Sequence, residues 1–316
     1  MKGLATCARS MTVAIAMLFG GNAVSAGEKI PVVATFTIIG DLVRNVGGER
    51  VSVTTLVGPG GDAHVFQPSP ADAAAIKRAK AVFENGLGFE GWLERLIESS
   101  GYVGQRFSAS KTVKPLYRSD EHDDGHHRDD GHRHHDKVGG ADPHAWQNLA
   151  NGILYVEAIQ EGLCEADMEG CPAYKANAAA YIAKLRALDA EISERFATIP
   201  ASKRKLVTSH DAFLYLADRY GLEIHAPEGV TTDSEASAQD VARLIRQIRK
   251  HDIVALFVEN VSDPRLLQQI ARETDLTPSG RLYSDALSAS GGPAASYVEM
   301  MRHNAFAVAD ALDGGS

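Results

Sequence analysis

Cysteine is scarce, with three in 316 residues. That excludes a small scaffold built from disulfides. Positive charge is also in deficit, with 32 Lys and Arg against 41 Asp and Glu, a net charge of −9. An acidic surface disfavours nucleic acid and anionic membranes as partners and attracts cations. No apolar run after residue 26 is long enough to span a bilayer. The zinc-protease signature HExxH and the hydrolase signature GxSxG are both missing. What is present is ordinary for a globular chain: 44% apolar and 23% charged residues. At roughly 150 residues per domain, the length suggests about two domains.

Residues 1–26 carry Lys2 and Arg9, then an apolar run over 11–19, then Val24-Ser-Ala26. This reads as a secretory signal, and the run is about half of a membrane span. Cys7 precedes the run, so it does not serve as a lipid-bearing cysteine behind a signal core. The mature chain is expected to be soluble and monomeric. Cys164 and Cys171 then face an oxidising compartment and are expected to form a disulfide. The other reading, two free thiols on a metal, lacks a neighbouring CxxC or CxxH.

Strand and helix signals alternate. Strands are expected at 29–36, 51–57 and 81–83, then at 205–208, 222–224, 253–258 and 281–283. Helix starts are marked by Ser69-Pro70, Ser237 with Asp240, and Asp263-Pro264. Between the two groups the chain turns helical. Tyr174, Ala178, Tyr181, Leu185, Leu188, Ile192 and Phe196 recur every three or four residues, predicting one helix over 172–197. The expected fold is α/β: two lobes with parallel sheets covered by helices, joined by one long rigid linking helix. The lobes fall at 27–147 and 201–316, with a helical connection at 148–200. So rigid a link favours loop movements over a wide clamshell opening.

Ligands in open α/β sheets bind beyond the carboxyl ends of the strands. Those ends and loops carry His64, His144, His210 and Asp285. Three imidazoles and one carboxylate suit tetrahedral Zn²⁺. Spacing alone gives this reading little specificity, because any α/β protein offers strand-end polar residues. Asn148, Asp211 and Glu259 are nearby polar residues that could orient the rings. Asn148 reads equally as a helix cap, and Glu259 as a surface acid.

Four segments sharpen the picture: Gly61-Asp-Ala-His64-Val-Phe66-Gln-Pro68, Asp142-Pro-His144-Ala-Trp146, Thr208-Ser-His210-Asp-Ala-Phe213 and Tyr283-Ser-Asp285-Ala-Leu287. Together they resemble the metal-binding solute-binding proteins of bacterial ABC transporters, nearest to the zinc-specific ZnuA and AztC type. The resemblance runs in order over nearly the whole mature chain. It implies a periplasmic, non-enzymatic protein that captures Zn²⁺ and delivers it to an inner-membrane ABC permease with its ATPase, with a periplasmic zinc chaperone as a candidate donor. It implies ligands at His64, His144, His210 and Asp285. Manganese-carrying relatives hold a second carboxylate where His210 stands. Some zinc relatives fill the fourth position with water or an acid near the first His, which makes Asp62 and Glu235 the other candidates.

Residues 119–140 break the pattern, with almost no apolar side chain. His122, His126, His127, His132, His134 and His135 lie among seven acids. Such a segment cannot bury a core and is expected to be a mobile, low-affinity zinc collector or a sensor of high zinc.

Overall fold

The computed structural model describes residues 29–117, 140–251 and 253–314. The signal segment and the six histidines from His122 to His135 lie outside the described residues. The first lobe runs β1 (Ile30–Phe36), α1 (Thr37–Gly47), β2 (Val51–Val57), α2 (Pro70–Arg78), β3 (Ala81–Glu84), α3 (Leu93–Ser100) and β4 (Gln105–Ser108). All pairings are parallel, in the order β2-β1-β3-β4. β1 is central: Val32, Val33, Ala34 and Phe36 are buried, as expected where helices cover both faces. The register sets Phe36 beside Val57 and Val32 beside Ala81, so the carboxyl ends of β1 and β2 finish level. Ser69 and Asp72 form the capping box that starts α2. The edge strand β4 carries no strong sequence signal, because Gln-Arg-Phe-Ser is short and mostly polar.

The chain then forms α4 (Leu149–Ala166) and α5 (Cys171–Ala197), stapled at their junction by the Cys164–Cys171 disulfide. At 27 residues, α5 is about 40 Å long. Its buried stripe is Tyr174, Ala178, Tyr181, Leu185, Leu188, Ile192 and Phe196, the periodic set read from sequence. It packs on α4, on α1 of the first lobe and on α9 of the second.

The second lobe runs β5 (Lys205–Val207), α6 (Leu214–Tyr220), β6 (Glu223–His225), α7 (Ala238–Lys250), β7 (Ala255–Glu259), α8 (Pro264–Thr274), β8 (Gly280–Leu282) and α9 (Tyr297–Asp313). Its parallel sheet has the order β6-β5-β7-β8. One apolar core continues from the first sheet through α5 to Phe257, Leu282, Leu287 and Met300 of the second lobe. A smaller cluster, including Leu244, Ile248, Leu256, Leu267 and Ile270, lies under α7 and α8. No helix among the described residues is long and apolar enough to cross a membrane.

Glu90 is buried in the first lobe and accepts bonds from Thr35 Oγ1 at 2.7 Å and Asn85 N at 2.6 Å. Burial pushes its carboxyl up to about 7, against the lowering effect of those bonds. The folded value lies above the unfolded one. The stability Glu90 contributes is therefore full below the unfolded value and is lost as pH rises through the folded one. About 1.4 kcal/mol should go between pH 6 and pH 8. Glu90→Gln should flatten that part of the stability profile in denaturant titrations; an unchanged slope would clear Glu90 of this role.

Candidate metal centre

His64 lies in the loop after β2, and His144 in the turn before α4. His210 follows β5, and Asp285 follows β8. These loops, two from each lobe, meet between the lobes. One nitrogen from each imidazole and one Asp285 oxygen all lie within 4.8 Å of one another. His64 Nε2 is 3.2 Å from His144 Nε2 and 3.3 Å from Asp285 Oδ2. His210 Nε2 is 3.3 Å from Asp285 Oδ2, and His144 Nε2 is 3.6 Å from Oδ1. The His64 side chain is 4% exposed; those of His144, His210 and Asp285 are fully buried. Phe89 sets its ring 4.6 Å from His64, and Trp146 sets its ring 5.2 Å from His144. The centre is thus walled by aromatics and shielded from water.

Two rings have a carboxylate behind them. Asp142 Oδ1 lies 2.9 Å from His144 Nδ1 and also accepts the His144 N–H at 2.8 Å. Bonding at Nδ1 fixes the tautomer and leaves the Nε2 lone pair facing the centre. Glu259, the last residue of β7, accepts the Ser209 and His210 N–H groups through Oε1 at 2.8 and 2.9 Å. Its Oε2 lies 2.6 Å from His210 Nδ1. Glu259 is therefore fully buried behind the ring rather than a surface acid.

The electrostatics favour a cation. Burial works against charge on His210, yet the Glu259 and Asp285 carboxylates hold its imidazole well above the ordinary histidine range. Burial likewise raises Asp285, and the His210 and His144 imidazoles override it, holding the carboxyl well below its usual range. Both Asp285 oxygens are buried without a hydrogen-bond partner. Buried charge of this kind is retained where it is paired or coordinates a metal.

The Asp285 loop is fastened across the lobe boundary. Trp146 Nε1 and Gln147 Nε2 both donate to the Ser284 carbonyl, at 2.9 and 2.8 Å. Leu287 N donates to Thr37 Oγ1 at 2.8 Å, and Gly60 N donates to the Leu287 carbonyl at 3.2 Å. Gly60 has φ +68°, a left-handed turn that glycine adopts without strain.

Of the three orienting residues read from sequence, Glu259 stands directly behind a ring. Asn148 instead caps α4, its side-chain oxygen accepting from Ala150 N at 2.8 Å; a short polar residue in that position serves the helix rather than an imidazole. Asp211 is buried beside His210 and donates its N–H to the Gly229 carbonyl. Asp62 accepts the His64 N–H at 2.9 Å, and neither Asp62 nor the exposed Glu235 belongs to the four-residue cluster. Sequence reasoning passed over Asp142 as a functional group. The signal was the Asp-Pro-His spacing, in which a rigid proline holds an acid two residues before the ring.

Comparison with known proteins agrees with this geometry. Residues 32–311 match the profile of the ZnuA family, described as zinc-uptake complex component A, periplasmic. The manganese-binding lipoprotein MntA of Halalkalibacterium halodurans is 32% identical over 279 residues, 88% of this chain and 87% of its own. The manganese ABC transporter substrate-binding lipoprotein PsaA of Streptococcus pneumoniae is 29% identical, covering 95% of this chain and 96% of its own. Among solved structures, the periplasmic zinc binding protein TroA from Treponema pallidum superposes with a TM-score of 0.81 at 27% identity, over 90% of this chain and 99% of its own. The two-lobed fold, its buried histidine and carboxylate cluster and this match over most of the sequence agree: the chain belongs to the ZnuA family, substrate-binding proteins of ABC transporters and not enzymes.

Proposed function

We propose that this protein captures Zn²⁺ with His64, His144, His210 and Asp285 and hands it to an inner-membrane ABC permease and its ATPase. Residues 1–26 direct it to the periplasm, where it works as a soluble monomer. The observation that carries the reading is the convergence of four ligand atoms within 4.8 Å. With bonds near 2.0–2.1 Å, a tetrahedral zinc site has ligand edges of about 3.3 Å. The separations of 3.2, 3.3 and 3.3 Å, and 3.6 Å from His144 to the second Asp285 oxygen, are close to that size, within a set that spans up to 4.8 Å. Three imidazoles also favour zinc over a harder, oxygen-seeking ion. Position 210 bears on the same choice, because the resemblance gives manganese carriers a carboxylate there. In the same reading the segment 119–140 collects zinc weakly, and a periplasmic chaperone is a candidate donor.

A second reading is Mn²⁺, favoured by the names of MntA and PsaA. Elemental analysis of protein purified without added metal, followed by competition between Zn²⁺ and Mn²⁺, separates the two. One tightly held zinc that manganese does not displace is expected. Displacement by equimolar Mn²⁺ would favour the second reading.

A further inference from the structure

Most of the wall around the metal centre is pinned. The Asp285 loop is fastened to Trp146, Gln147, Thr37 and Gly60, as described above. The His210 loop is held by Glu259 and by α6, whose Tyr215 hydroxyl donates to the Asp142 carbonyl at 2.9 Å. One stretch differs. Residues 227–236 cross from β6 to the cap of α7, and none from 228 to 236 is buried. The backbone ties of this stretch to its own lobe lie at its start: Glu228 N to the Ser209 carbonyl at 3.4 Å, and Asp211 N to the Gly229 carbonyl at 3.1 Å. Among the described residues, its one hydrogen bond to the first lobe is Thr232 Oγ1 to Asp62 Oδ2, at 2.6 Å. The other oxygen of that carboxylate accepts the His64 N–H at 2.9 Å. Asp62 therefore joins the first-lobe loop carrying a ligand to the second-lobe loop 227–236.

We propose that Asp62 is a positioning residue and one half of a latch: the loop 227–236 is the lid of the centre, and the Thr232–Asp62 bond holds it shut. The lid is the least anchored part of the enclosure, so metal enters and leaves when that bond breaks, while α5 and the shared core stay in place. A segment with few buried side chains opens at low free-energy cost compared with a packed one. The hydroxyl-to-carboxylate bond then sets the opening frequency, and losing it should speed opening about threefold to tenfold.

The inference rests on the metal-capture reading, but one measurement on it does not. In metal-free, full-length protein, amide hydrogen exchange over residues 228–236 should quicken in Thr232→Val and stay parental in Thr232→Ser, which keeps the hydroxyl. In zinc-loaded protein, stopped-flow transfer to a chelator should be about threefold to tenfold faster in Thr232→Val, with one zinc still bound per chain. Parental exchange and release in Thr232→Val would overturn the latch. So would a Thr232→Ser variant as fast as Thr232→Val. A parent that binds no metal would instead overturn the capture reading, and the exchange experiment would still decide the latch.

Discussion

Replacing His210 with alanine should lower zinc affinity by more than about a hundredfold, beyond the 10–100-fold typical of losing an outer-shell partner. The ring supplies one of four ligand atoms and also separates two buried carboxylates. Its Nε2 lies 3.3 Å from Asp285, and its Nδ1 lies 2.6 Å from Glu259. Without the ring, the metal loses a donor and Glu259 Oε2 loses its partner. The loop itself should persist, because Glu259 Oε1 is held by the backbone N–H groups of residues 209 and 210. Competition against a chromogenic chelator, with circular dichroism as a folding control, makes the comparison. Parental affinity in His210→Ala would remove His210 from the ligand set.

Acid should weaken zinc binding steeply. Imidazole must be neutral to coordinate, so each proton displaced on binding makes affinity fall tenfold per pH unit while that group is protonated in the free protein. Burial opposes charge on the His210 imidazole, but the Glu259 and Asp285 carboxylates hold it well above its ordinary range, so a proton must leave that ring before it can bind metal. Affinity should therefore be lower at pH 5.5 than at pH 7.5, by up to about tenfold for each pH unit over which this ring is protonated in the free protein. Calorimetric titrations in buffers of different ionisation enthalpy should show net proton release near neutrality. A binding constant flat across this range would mean that His210 enters the reaction already neutral.

The elements legible in the sequence were those whose side chains carry the pattern. The α5 stripe from Tyr174 to Phe196 and the Ser69 and Ser237 caps could be read because each follows from local periodicity or capping chemistry. β4 could not, because its place at the sheet edge comes from pairing with β3 rather than from its own composition. The four clustered residues were visible as strand-end or loop groups, and the resemblance gathered them into one set. Their supports were less visible. Glu259 looks like any acid ending a strand, and Asp142 like part of a turn, until the partner ring is in view. The ties on the Ser284 and Leu287 backbone leave no mark in the sequence, since every residue has a carbonyl.

Both tryptophans of the chain lie near the loops that carry the first-lobe histidines. Trp92 donates its Nε1–H to the carbonyl of Ala63, the residue before His64, at 2.8 Å. The indole of Trp146 lies edge-on to His144. Both indoles are buried, so their emission is set by the protein rather than by solvent. The molecule thus carries two built-in optical gauges, one against the His144 ring and one bonded to the backbone next to His64, and loading can be followed by native fluorescence without attaching a dye.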